Sequence, residues 1–214
     1  MIAQKFLKEW ERPRKRMVEE QLKARDISSV KVLTAMGQVP RHIFVDDTLA
    51  ARAYSDGPLP IGFGQTISQP FMVALMTQVL DPEPGDRVLE IGSGCGYQSA
   101  VLALLAKEVY AIERLAPLRE KSLENLAKIN ISNVFLRLGD GRLGWPEKAP
   151  FRRILVAAYT ERIPPALTDQ LAPQGRLVIP VGPDSSQELV LVTKDVQGQL
   201  RRQCISGCRF VPLV

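Results

Sequence analysis

The sequence predicts an α/β fold, a doubly wound and mostly parallel sheet with an N-terminal helical cap and a C-terminal antiparallel hairpin. Three observations point there. Residues 87–98 read as an apolar strand that turns through Gly92, Gly94 and Gly96 straight into a helix. From 109 to 181, short apolar runs alternate with amphipathic stretches, the pattern of parallel strands joined by crossover helices. Beyond 187 the helical spacing stops, and 189–193 and 200–205 flank Gln197-Gly198 as the arms of a hairpin would.

Taken in order, residues 1–12 are expected to fray. Residues 13–25 carry Pro13 near a helix start, with apolar Met17, Val18 and Leu22 among charges, a short amphipathic helix. Ser28 or Ser29 caps a second helix with Val32, Leu33, Met36 and Val39 on one face, and Pro40 ends it. Together these make a cap over residues 1–50, packed against the sheet. Residues 53–70 change to Gly, Pro, Ser and Thr without periodicity, and a long ordered loop in a compact domain tends to carry function. A helix over 71–80 follows, capped by Ser68 or Gln69 with Pro70 at its first position. The core, 86–182, holds strand 88–91, helix 98–106, strand 109–112, helix 117–129, strand 134–138, strand 154–158, helix 164–171, a turn at 173–175 and strand 177–181. Residues 187–214 supply the antiparallel strands, 208–213 being a last strand or an extended tail. A length of 214 residues suits one such domain.

Composition narrows the function. Apolar content of 45% and charged content of 24% are those of an ordinary globular protein, and no apolar run reaches the ~20 residues that cross a bilayer. The first residues lack the apolar core of a signal peptide, so the cytoplasm is the expected compartment. Cys95, Cys204 and Cys208 offer neither a disulfide framework nor paired metal-ligand spacing, and are expected to be reduced and buried. The single histidine, His42, excludes two-histidine metal sites, and no metal is expected. Eight of the 28 basic residues fall within the first 25 positions against four acids, so most of the net charge of +5 sits there. With no aromatic-basic platform beside it, this reads as a solvated helix face and not a nucleic-acid surface.

The glycine turn carries the chemistry. Three glycines spaced two apart let the backbone take positive φ and bring a ligand close to bare amides, at the carboxyl end of a strand where open α/β sheets bind ligands. The third glycine comes one residue too early for a dinucleotide cradle. Glu90 stands two positions before Gly92, and Glu113 closes the next strand, where a carboxylate accepts hydrogen bonds from a ribose diol. Gly139-Asp140-Gly141 sets another acid at a strand end.

Glu90-x-Gly92-x-Gly94-x-Gly96 with that downstream acid resembles the first motifs of class I, Rossmann-like S-adenosyl-L-methionine-dependent methyltransferases. The run Leu59-Pro-Ile-Gly-Phe-Gly-Gln-Thr-Ile-Ser-Gln-Pro70 more specifically resembles the signature of protein-L-isoaspartate (D-aspartate) O-methyltransferases. Further stretches match in order, among them Val39-Pro-Arg-His-Ile-Phe44, Gly139 to Trp145, Arg176 to Gly182 and Phe210-Val-Pro-Leu213. The resemblance implies S-adenosyl-L-methionine as cofactor and isoaspartyl proteins and peptides as partners, methylated on the abnormal carboxylate to start their repair. Neither nucleic acid nor membrane is expected as a partner, on the charge and the apolar runs above, and a monomer is expected.

Carried over, the resemblance assigns Ser68 to catalysis. Thr66 and Ile67 form the wall between cofactor and substrate. Glu90, Gly92, Ser93, Gly94 and Gly96 serve the methionine part, Glu113 the ribose, and Asp140 with Gly141 the adenine. Leu59, Pro60, Ile61 and Gly62, with Val211 and Pro212, flank the substrate. The chain departs from the family pattern at Phe151-Arg152-Arg153-Ile154, where an acid is usual at 152, at Gly57, and at Tyr159-Thr160-Glu161, expected beside the substrate. A different acceptor acid, or a cofactor-binding module without turnover, are the alternative readings. The inventory suits carboxyl methylation: an acid with a pKa near 4 is already the nucleophile at neutral pH and needs no general base.

Overall fold

The computed structural model describes residues 10–213, and the chain enters it through the helical cap. Helix α1 (Glu11–Arg16) continues as a wider π turn over Met17–Leu22 and a tighter one over Lys23–Arg25. The i to i+5 spacing of the wide turn sets Met17 and Leu22, five apart, both fully buried, where one regular helix over 13–25 was expected. The expected fraying fails at Trp10, whose ring stacks on His42 at 4.9 Å; residues 1–9 lie outside the described residues. Helix α2 (Val30–Gln38) starts after Ser29 and stops before Pro40.

Residues 53–70, expected to be an aperiodic loop, contain a small antiparallel hairpin, β1 (Leu59–Gly62) and β2 (Gln65–Ile67). Its turn holds Gly62, Phe63 and Gly64 all at positive φ. Helix α3 (Pro70–Leu80) follows with Gln69 as its cap and Pro70 at the first position, where a missing N–H costs nothing.

The main sheet has seven strands: β3 (Arg87–Ile91), β4 (Glu108–Glu113), β5 (Val134–Leu138), β6 (Phe151–Val156), β7 (Leu171–Val181), β8 (Gln187–Lys194) and β9 (Leu200–Cys208). Their order is β5-β4-β3-β6-β7-β8-β9. The first five run parallel and the last two antiparallel, as the sequence predicts. The expected turn at 173–175 instead bulges out within β7: pairing jumps from Phe151–Leu171 to Arg153–Arg176, with Gln174 left-handed. Helix α4 (Tyr97–Ala103) is three residues shorter at its end than expected; α5 (Ala116–Lys128) and the short α6 (Pro165–Asp169) follow the pattern.

Strand alternation sends Val88, Val109 and Leu155 to one face and Leu89, Tyr110 and Ile154 to the other, each face burying its own core. Helices α3, α4 and α5 cover the first face thickly, while α6 and the aromatic Trp145 cover the second. The cap packs on α3 and α4 through Val73, Tyr97 and Val101, and so forms a layer above the helices instead of lying on the sheet as expected. No helix among the described residues is long and apolar enough to cross a membrane.

Sheet order fixes where a ligand belongs. The chain moves outward from β3 to β4 and β5, then returns to β6 on the other side of β3, so a crevice opens between the carboxyl ends of β3 and β6. Past β9, residues 209–213 run extended across those ends: the Tyr159 N–H donates to the Val211 carbonyl at 2.8 Å and the Leu213 N–H to the Tyr159 carbonyl at 2.7 Å.

Candidate active site

Two cavities meet at this crevice. The inner one, about 330 Å3, lies over the glycine turn between the hairpin and the strand ends. The outer one, about 430 Å3, opens between the start of α3 and the residues that leave β9. Thr66, Ser68, Ala157 and Val211 line both and form the partition.

Gly92, Ser93 and Gly94 form the floor of the inner cavity. Gly94 takes φ 53, and a Cβ there would stand 3.2 Å from Ile61 Cδ1, so the glycine turn and the hairpin are fitted to each other across the cavity. The Ser93 hydroxyl is buried with no hydrogen-bond partner among the described residues. Glu113 is buried at the rim; its Oε2 accepts from the Gly94 N–H at 2.8 Å, and its Oε1 from the Arg114 and Leu115 N–H groups, both at 2.9 Å. A carboxylate offers about four acceptor sites, so Oε2 retains the capacity to meet a further hydroxyl. Gly141 also lines the cavity, where a side chain would run into Ile91.

Other sequence-assigned residues stand elsewhere. Glu90 is fully buried beneath the turn, bonded to the Ser99 hydroxyl at 2.6 Å, and does not line the cavity. Burial pushes its carboxyl up to about 8, against the opposing pull of Ser99. Gly96 begins α4 at φ 91 and shapes the turn from below. Asp140 is turned toward Arg142, which it meets at 2.7 Å, and this hydrogen bond holds its carboxyl below the usual range. Of the four residues expected to flank the substrate, which form β1, Leu59 is buried in the core, Pro60 and Gly62 face outward, and only Ile61 reaches the inner cavity. Ile67, Val211 and Pro212 also line it.

Ser68 is half-buried in the partition. Its carbonyl accepts from Nη2 of Arg41 at 2.8 Å, and Nε of the same fully buried guanidinium bonds the Ala53 carbonyl at 2.7 Å. The Arg41 guanidinium also lies 4.7 Å from the Tyr97 ring. Burial pulls this arginine below its ordinary value, and its placement ties both ends of residues 53–68 to the body of the protein. Sequence reasoning missed it. His42 stands apart, bonded to the Tyr54 hydroxyl at 2.8 Å, and burial pulls it down to about 4, so it is neutral at neutral pH.

The departures read differently in place. Arg152 lies at the amino end of β6, beside Asp86 at 3.6 Å, the far end of the sheet from the crevice. It has no bearing on the acceptor. Tyr159 and Thr160 line neither cavity; Tyr159 anchors the tail through its backbone, and the Thr160 hydroxyl donates to the Arg162 carbonyl at 2.7 Å.

Comparison with known proteins gives one answer. The family model described as Protein-L-isoaspartate(D-aspartate) O-methyltransferase matches residues 12–214. A Protein-L-isoaspartate O-methyltransferase of Trichlorobacter lovleyi is 51% identical over 201 residues, 94% of this chain and 93% of that protein. A solved Protein-L-isoaspartate O-methyltransferase superposes with a TM-score of 0.84 at 28% identity, over 93% of this chain and 65% of that longer one. The corresponding Plasmodium falciparum structure, in complex with S-adenosyl-L-homocysteine, gives 0.81 at 30% identity over 94% of this chain and 98% of that one. The sheet order, the glycine turn under the hairpin and these matches agree, and the chain belongs to the protein-L-isoaspartate (D-aspartate) O-methyltransferase family.

Proposed function

We propose that this chain transfers a methyl group from S-adenosyl-L-methionine to the free carboxylate of L-isoaspartyl and D-aspartyl residues in damaged proteins, the first step of their repair. The observation that carries this is the partition: a donor in the inner cavity and a peptide in the outer one meet at Thr66 and Ser68. The inner cavity fits the donor on two counts, the orphaned Ser93 hydroxyl and the gap that the bare Gly94 leaves toward Ile61.

When bound, the donor supplies an electrophilic methyl on a positively charged sulfur. Gly92, Ser93 and Gly94 would hold its amino-acid end, Glu113 would accept from the ribose hydroxyls, and Gly141 with Asp140 would border the adenine. Glu90 and Gly96 act from beneath by fixing the turn. Ile61, Val211 and Pro212 flank the substrate. Ser68 would donate its hydroxyl to one oxygen of the substrate carboxylate and so orient the other toward the inner cavity, where positioning the reacting groups is the main catalytic task. No side chain has to move a proton, because the acid is ionised beforehand. A guanidinium on the reacting oxygens would bind them but blunt their attack. Arg41 binds the Ser68 carbonyl from behind instead, which makes it a positioning residue.

Three free cysteines, of which only Cys95 is buried, fit a reducing cytoplasm, and a charge balanced outside the amino-terminal segment fits action on proteins, not nucleic acid. The test is methyl transfer from labelled donor to an isoaspartyl peptide beside its normal aspartyl twin. Base-labile methyl ester on the first alone is the expected result; equal labelling of both would rule out the repair assignment.

A further inference from the structure

The outer cavity is asymmetric in charge. Arg25 and Arg209 line it, and no aspartate or glutamate does. Resting on the function proposed above, we infer that these two arginines make the enzyme selective for isoaspartyl peptides that carry an acidic side chain within about two residues of the reacting one.

Arg25 is held in place. Its Nη1 bonds Asp56 at 2.8 Å, and its guanidinium carbon lies 3.6 Å above the Phe71 ring, at the start of α3. Within the basic amino-terminal segment it is set apart: Arg16 and Lys23 are tied to Glu20 and Glu19 one turn away on an exposed helix face. Arg209 comes from the opposite wall. It is exposed and forms no salt bridge with another described residue. It stands two positions before Val211, a partition residue, on the extended segment that Tyr159 holds, while the Phe210 N–H donates to the Gln187 side chain at 2.7 Å.

Two residues of extended chain span about 7 Å and return to the same side, so Arg209 lies about two residue steps from the partition. A peptide that lies extended in this cavity with its isoaspartate at Ser68 therefore brings a close neighbour opposite Arg209. Neither arginine lines the inner cavity, so both read the flanking sequence and leave the reacting oxygens alone. Asp56 neutralises part of Arg25, which leaves Arg209 the larger share of the selection.

The test is steady-state methyl transfer by the full chain on isoaspartyl peptides alike except for Glu, Gln or Lys at one or two residues either side of the isoaspartate. At low salt, KM is expected to rise in the order Glu, Gln, Lys, with about a fivefold spread and kcat unchanged, as for a partly exposed charge pair. The spread should shrink at about 0.5 M salt. Arg209→Glu should invert the order, Arg209→Gln should flatten it, and Arg202→Gln, an exposed β9 residue outside both cavities, should leave it as it is. Equal KM for the three peptides at every flanking position, or an order that Arg209→Glu does not change, overturns the inference. Turnover of the Gln peptide tests the activity separately: with no methylation there, the function reading itself fails.

Discussion

Ser68 shows how one residue can hold two duties, since its backbone is anchored by Arg41 while its side chain stands in the partition. Losing a hydrogen bond to a charged oxygen costs about 1.5–3 kcal/mol, so Ser68→Ala is expected to cut turnover at least about tenfold. The donor dissociation constant, measured by calorimetry, should stay within about twofold, because the donor is held elsewhere. Glu90 gives a pH signature. Its folded-state value of about 8 lies above the ordinary 4.5, so its contribution to stability is fully present below about 4.5 and is lost as pH rises through about 8. Glu90→Gln, neutral at every pH, should therefore raise the melting temperature by about 5 °C or more near pH 9 and change it little near pH 5. An equal shift at both would show that this carboxyl does not titrate. Glu113 could be placed at a strand end from motif spacing, whereas Ser68 enters the candidate site only through the family resemblance; by spacing alone it offers a helix cap, a position that Gln69 takes. Arg41 could not be placed: nothing in Pro40-Arg41-His42 tells that a guanidinium is enclosed, since its burial depends on Ala53, Ser68 and Tyr97 arriving from distant parts of the chain.

Among the elements, regular ones were read well and irregular ones poorly, for a reason of length. Strands β4 and β6 carry continuous buried apolar runs, Val109–Ile112 and Ile154–Val156, as a parallel strand covered on both faces should, whereas β1 and β2 have four and three residues, include a proline, and meet at a turn with positive φ, too short to show a period. The bulge in β7 hid behind Pro173-Gln174-Gly175, which looks like a plain turn until β6 is seen to pair on both sides of it. The hairpin and the glycine turn act as one unit through the approach of Ile61 to Gly94. Gly94→Ala forces a left-handed backbone, at about 1–2 kcal/mol, and crowds Ile61, so donor binding is expected to weaken about five- to tenfold. Titration calorimetry reads this directly, and unchanged affinity would mean that the hairpin moves aside at no cost.

At the scale of the whole molecule, a parallel sheet with a ligand at the carboxyl end of its strands could be anticipated from the alternation of elements, but the strand order that sets the crevice between β3 and β6 could not. Nor could the placing of the cap on the helices, a matter of long-range packing with no local pattern; the tail was set beside the site by the family resemblance alone, through Val211 and Pro212. A stop after Cys208 keeps every β8–β9 pair but removes Val211 and Pro212 from the cavity walls. Such a protein is expected to retain its circular dichroism spectrum while donor affinity falls about tenfold or more; full affinity would show that the tail is dispensable. The same wall has a consequence in time. Ile61 and Thr66 emerge from the ribosome well over a hundred residues before Val211, so a nascent chain carries the signature loop long before it owns a complete pocket, and full donor affinity is expected only after the tail has emerged.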